Sequence, residues 1–197
     1  MKISNLGIAL IAATLFSGAA MAQTNVQNDT QRDVNQQQRI ENGLQSGQLS
    51  TKEAGSLERQ EQHIDKMEAH DMKNGSISPA EQAKLNAAQN KVSKDIYQDK
   101  HNGTIGNPNS ASSQRMQADV QRNVNQEQRI ENGEKSGALT NREAGKLERG
   151  QAHVDHAEAR AAANGHVSAN EQARIQRKEN RQSRHVFNKK HNAKTAG

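Results

Sequence analysis

Eight histidines, 22 acidic side chains and no cysteine define the chemistry open to this chain. Imidazole, carboxylate and clustered cations are available, whereas thiolate ligation, thiol nucleophiles and disulfides are excluded. His153 and His156 stand three residues apart with Asp155 between them. On a helix that spacing puts both rings on one face, a geometry that chelates Cu(II), Ni(II) or Zn(II) through imidazole. His63 lies ninety residues before His153 in an otherwise similar stretch, but Lys66 stands where His156 does. His63 and His70, beside Asp71, form a looser alternative. A second pattern is cationic: Arg174, Arg177, Lys178, Arg181 and Arg184 recur at helical steps, opposed locally only by Glu179. Such a stripe suits the phosphates of an anionic envelope surface. With only Phe187 nearby to stack on a base, nucleic acid is the poorer fit. Catalytic patterns are missing: there is no nucleophile elbow, no H-E-x-x-H and no phosphate-cradling glycine loop. Glu58 with Glu61, or Glu127 with Glu131, has acid–base spacing. Their Lys- and Arg-rich surroundings predict solvated, ion-paired helix faces with no apolar pocket to separate two pKa values. A non-enzyme is expected.

The joints between elements are the most informative residues. Four times the chain writes glycine, any residue, an aliphatic, Ser or Thr, two residues, then Glu: Gly47-Leu49-Ser50-Glu53, Gly75-Ile77-Ser78-Glu81, Gly137-Leu139-Thr140-Glu143 and Gly165-Val167-Ser168-Glu171. Glycine at the sixth position, an aliphatic at the eighth and Glu at the twelfth resemble an EF-hand loop. The other ligand positions do not follow. The first, third and fifth are Asn42, Leu44 and Ser46 in one joint and Arg160, Ala162 and Asn164 in another, and no joint offers more than one carboxylate there. Calcium is therefore disfavoured at the joints. The same residues predict helix caps: glycine closes one helix in a left-handed turn, Ser50, Ser78, Thr140 and Ser168 cap the next, and Glu53, Glu81, Glu143 and Glu171 complete four capping boxes. Pro79 fits the first helical position of one of them.

These joints punctuate a duplication. Displaced by ninety residues, Gln31 to Asn102 overlies Gln121 to Asn192 without a gap, with about half the positions identical. VNQQQRIENG answers VNQEQRIENG, EAGSLERQEQHID answers EAGKLERGQAHVD, KHN closes both copies, and Tyr97 falls on Phe187. Each copy predicts three helices. One runs from about Val26 to Ser46; one follows Ser50, with Ala54, Leu57, Ile64 and Met67 near one face; one follows Ser78, with Leu85, Ala88, Val92 and Ile96 in a stripe. The expected fold is all-α, two tandem three-helix units built as helical hairpins and joined by a flexible linker, Gly103 to Ser113. The units either pack on each other as a pseudo-symmetric pair or close their seams in a homodimer. At 31% hydrophobic and a mean hydropathy of −1.09, only a thin core is expected.

The first 22 residues carry an address. Lys2, the apolar run Leu6 to Phe16 and the close Ala20-Met21-Ala22 match a secretory signal, with cleavage between Ala22 and Gln23. The run is too short to span a bilayer and no later stretch is a transmembrane segment. The expected divisions are a signal peptide over 1–22, unit 1 over 23–102, the linker over 103–113 and unit 2, with its basic last helix, over 114–197. The mature chain is expected in the periplasm or secreted.

At RIENGxxSGxL, EAGxLERxQxHxD, NGxxS and KHN the chain resembles a group of small exported proteobacterial helical-repeat proteins with degenerate EF-hand-like joints. The resemblance covers both copies, roughly 80% of the mature chain, and it brings no activity with it. Three functions are expected in descending order. The first is a non-enzymatic binding or stress-accessory protein whose helix surfaces engage a protein or envelope component. The second is a binder or buffer of divalent metal, Cu, Ni or Zn, through His153, His156 and His63 or through the loops. The third is a binder of envelope polyanion.

Overall fold

The computed structural model describes residues 17–195. The n-region and apolar run of the expected signal, up to Phe16, lie outside these residues. Six α-helices follow in order: α1 Ser17–Ser46, α2 Thr51–Asp71, α3 Pro79–Lys100, α4 Ala111–Lys135, α5 Asn141–Ala161 and α6 Ala169–Lys190. Single 3-10 turns, Met72–Asn74 and Ala162–Asn164, extend α2 and α5. The chain is all-α, and none of these helices is long and apolar enough to cross a membrane.

Local chemistry ends each helix where the repeat writes it. The Ser50 N–H donates to Glu53 Oε2 at 2.8 Å and the Glu53 N–H donates back to Ser50 Oγ at 3.2 Å. Reciprocal pairs of this kind join Ser78 to Glu81, Thr140 to Glu143 and Ser168 to Glu171. The preceding glycines Gly47, Gly75, Gly137 and Gly165 all have positive φ, the conformation that closes a helix at low steric cost to glycine alone. The Leu49 N–H returns to the Gly43 carbonyl at 2.9 Å, and a Cβ on Gly43 would stand 2.6 Å from the Leu49 side chain. Gly133 and Leu139 repeat this contact, so the glycine of RIENG exists to seat the leucine of SGxL. The terminal KHN works at the same joint. Asn102 Nδ2 donates to Glu53 Oε1 at 2.7 Å and Asn192 Nδ2 to Glu143 Oε1 at 2.7 Å. His101 and His191 stack on Tyr97 and Phe187, each pair with centroids 4.2 Å apart.

The two units pack on one another around an approximate twofold axis. α2 lies along α5 and α1 along α4, making a four-helix centre; α3 braces α1 and α2 on one side, and α6 braces α4 and α5 on the other. Small residues let α2 and α5 approach. A Cβ on Gly55 would stand 2.4 Å from Ala162 Cβ, and one on Gly145 2.8 Å from Met72 Cβ. The seams thus close within one chain. One apolar cluster runs through both units, including Leu44, Leu57, Ile64, Leu85, Met116 and Ile175, all at most 1% exposed. Burial is possible at this composition because each aliphatic stripe meets another stripe and not solvent. The linker is also tied down: the Gly106 N–H donates to the Gly47 carbonyl at 2.8 Å. α4 starts at Ala111, inside the stretch read as linker, because Ser110 Oγ accepts from the Ser113 N–H at 3.1 Å.

Gly55→Val forces side-chain volume into the α2–α5 contact and is expected to cost about 1–3 kcal/mol of stability. Urea unfolding followed by circular dichroism measures this, and an unchanged midpoint would show that the two helices are not so closely apposed.

Candidate metal centre

The side chains that fill the four-helix centre are acidic. On α2, Glu58, Glu61, Asp65 and Glu68 recur at three- and four-residue steps and so share one face. On α5 the equivalent positions are Glu148, Gln151, Asp155 and Glu158. α1 adds Asp33 and Gln37, and α4 their counterparts Asn123 and Glu127. All twelve are at most 3% exposed. This corrects the expectation that Glu58, Glu61 and Glu127 lie on solvated, ion-paired faces, although Glu131 does pair with Lys135. A signal was available: Leu57 and Ile64 leave a seven-residue gap in the aliphatic stripe, and Glu61 fills it. Composition treats that glutamate as surface, but its helical phase puts it inside.

Two triads stand out. One oxygen each from Glu58, Asp155 and Glu158 lie within 4.8 Å of one another, and so do oxygens from Asp65, Glu127 and Glu148. The first triad is held by amides. Gln37 Nε2 donates to Glu58 Oε2 at 3.0 Å, and Asn123 Nδ2 to Glu158 Oε2 at 2.8 Å and Asp155 Oδ1 at 3.2 Å. Beside the second triad, Asp33 accepts from Gln89 Nε2 at 2.9 Å and faces Glu68. Asp65 and Asp155, equivalent in the two copies, meet carboxyl to carboxyl where the triads adjoin. Among the described residues, neither oxygen of Glu61 or Glu148 has a hydrogen-bond partner.

Burial raises the carboxyl pKa values throughout. Glu58 is raised to about 7, first by burial and then by the charge of Asp119, and Asp33 also to about 7. Asp119 rises to about 7 for the same first reason, and Asp29 to about 6. Glu61, Asp65, Glu127 and Glu148 are pushed well above their ordinary values by burial and then by the charge of neighbouring carboxyls, Asp33 among them in every case. None of the ion pairs among the described residues reaches either triad; the nearest in kind is Arg122 Nη1 to Glu179 Oε2 at 2.9 Å. Leaving so many charges buried and unpaired is prohibitively costly. Protons or cations must therefore neutralise them, and the donor set, oxygen without nitrogen or sulfur, is that of a hard-cation site.

The residues singled out for chemistry lie elsewhere. His63, His153 and His156 are exposed on the outer faces of α2 and α5, and none belongs to a group of three ligand atoms within reach of one ion among the described residues. His156 lines a surface groove with Arg160, Arg174 and Lys178, and its pKa is lowered first by burial and then by Arg160 and other cations. Those cations oppose a metal there. A group of His70, Asp71 and Glu81 sits at the α2–α3 joint, but Glu81 is committed to its capping box. The four joint glutamates accept from their own capping residues, so the loops do not present them as calcium ligands. Arg174, Arg177, Lys178, Arg181 and Arg184 are all exposed on α6, and His153 and His185 flank Lys178 and Arg181 in a second groove. Comparison with family models, with curated proteins and with solved structures finds no match.

Carboxyls whose folded pKa is raised hold protons that the unfolded chain has released, so folding is favoured below the ordinary value near 4 and loses that support as pH rises towards 7. In chelator, the thermal midpoint should fall steadily from pH 5 to pH 8. A flat or rising profile would show that the interior carboxyls do not carry protons.

Proposed function

We propose that this chain is an exported, non-enzymatic protein that binds hard cations through carboxylates inside its four-helix centre. The observation that carries the reading is Glu148, fully buried with both oxygens unpartnered and one of them within 4.8 Å of oxygens from Asp65 and Glu127. A cation there supplies the missing partner to several oxygens at once and offsets charge that no side chain neutralises. Facing helices that project ligands inward are an established way to build such a centre. Oxygen-only ligation favours Ca(II) or Mn(II) over Cu(II), Ni(II) or Zn(II). This reverses the order expected from the histidines and moves calcium from the joints to the bundle interior. The signal-like residues 1–22 support action outside the cytoplasm, where a cysteine-free helical protein can sequester or buffer such ions, a role in keeping with a binding or stress-accessory protein.

A second reading, attachment to an anionic envelope surface, is favoured by the exposed α6 cations, which Arg160 of α5 extends across the groove. Binding to anionic vesicles that weakens with salt and is lost on changing Arg174, Arg177, Lys178, Arg181 and Arg184 together to Gln would support it; binding unaffected by both would remove it.

Chelator-treated protein should bind Ca(II) or Mn(II) in calorimetry and gain about 5 °C or more in thermal midpoint at saturating ion. Glu148→Gln should weaken this at least tenfold, a loss of about 1.4 kcal/mol. Absence of binding by every ion tested overturns the proposal, as does Zn(II) binding that survives Glu148→Gln but is lost in His153→Ala/His156→Ala.

A further inference from the structure

The duplication should have produced two equal sites, and the chain has made them unequal. Under the twofold relation Glu58 exchanges with Glu148, Asp65 with Asp155 and Glu68 with Glu158. Around Glu58, Asp155 and Glu158 the remaining positions are Gln37 and Asn123, both neutral and both donating to the triad. Around Asp65, Glu68 and Glu148 the same positions are Glu127 and Asp33, both acidic and both buried. Glu134 stands beside Asp33 and Glu148 where the first copy has Leu44. Two other buried differences run the opposite way: the amide Gln151, which lies against Glu127, stands where the first copy has Glu61, and Glu179, beside Asp119 and Glu158, stands where the first copy has Gln89, which donates to Asp33. Counting Asp33, Gln37, Asn123 and Glu127 with the six paired acids of α2 and α5, one site has three carboxylates and two amides and the other five carboxylates, with Glu61 between them, within a single buried centre joined at Asp65 and Asp155.

We propose, resting on the cation-binding reading above, that the two sites are specialised. The site of Asp33, Asp65, Glu68, Glu127 and Glu148 takes a trivalent hard cation and fills first, and the site of Glu58, Asp155 and Glu158, with Gln37 and Asn123, takes a divalent one. The physical reason is Coulombic. Each added positive charge gains in proportion to the carboxylates around it, and a low-dielectric interior magnifies the gain. Two further carboxylates therefore favour an M(III) over an M(II) ion at one site much more than at the other. Amides, which offer a carbonyl oxygen without charge, suit a lower-charge ion. The unpartnered oxygens of Glu148, 0% exposed, point into the acidic site. Glu61, 1% exposed and likewise unpartnered, faces Asp33 and Glu127 on one side and Glu58 and Asp155 on the other. It is placed to serve whichever ion needs a further ligand.

Chelator-treated full chain titrated with Tb(III), followed by its luminescence, should show two steps, the first tighter by on the order of 100-fold. Ca(II) should displace Tb(III) from the second step only. Asp33→Asn/Glu127→Gln should bring the first step down to the second, and the converse Gln37→Glu/Asn123→Asp should raise the second towards the first; circular dichroism checks that each variant is folded. Competition with Fe(III) citrate and with La(III) identifies the trivalent source, since the ion that displaces the first Tb(III) at lower concentration is the better occupant. Two equal steps, or a first step unchanged in Asp33→Asn/Glu127→Gln, overturns the specialisation while leaving cation binding intact. Displacement of the first Tb(III) by Ca(II) as readily as the second does the same. Failure of every ion to bind overturns both readings together.

Discussion

Carboxylates facing carboxylates across the contact of α2 with α5 are the constraint around which this molecule is arranged. Glu58, Glu61, Asp65, Glu68, Glu148, Asp155 and Glu158 occupy the centre of the bundle, where an ordinary helical protein places leucine. Each would ionise in water at neutral pH, and each is denied both water and a basic partner. The folded state is therefore coupled to whatever neutralises them, proton or cation, and stability, ionisation and binding become one equilibrium. The surrounding aliphatic residues, Leu57, Ile64, Met116 and Ile175 among them, supply the apolar burial that holds this unfavourable interior closed.

The rest of the architecture keeps those helices in register. Gly55 and Gly145 permit the close approach that brings the two acidic faces together, and each meets a small or flexible neighbour from the other unit. At the ends, the capping boxes fix where α2 and α5 begin, and Asn102 and Asn192 reach back from the ends of α3 and α6 to the second oxygen of the capping glutamate. One glutamate thus fastens three segments of its unit. This explains why the joints and the KHN close are shared by both copies while the central polar positions have been altered.

Symmetry and its loss have separate origins. Duplication of a three-helix unit gives two equivalent acidic faces at no cost in new sequence, and pseudo-twofold packing places them opposite one another. Changes at three pairs of positions, Asp33/Asn123, Gln37/Glu127 and Leu44/Glu134, then shift negative charge towards one end of the centre, while Glu61/Gln151 and Gln89/Glu179 partly oppose them. None of these changes disturbs a cap, although Leu44, part of the apolar cluster, answers to a buried glutamate in the second copy.

Local sequence determined much of this protein. Four capped joints, helices of the observed phase and the aliphatic stripe through Ala54, Leu57 and Ile64 follow from interactions within three or four residues, which one chain read linearly displays in full. The exposure of the basic α6 stripe follows from the same periodicity. The interior could not be read that way. Whether Glu58 and Asp155 lie in water or against each other depends on which face of α2 meets which face of α5, and these positions are almost a hundred residues apart. Glu61, in phase with Leu57 and Ile64, hinted at burial, but a lone glutamate in a hydrophilic chain is ordinarily a solvated one. Only the packing of the two copies turned separate acidic faces into one enclosed centre. Desolvation and mutual repulsion exist there because tertiary structure removes the water that would otherwise screen each charge.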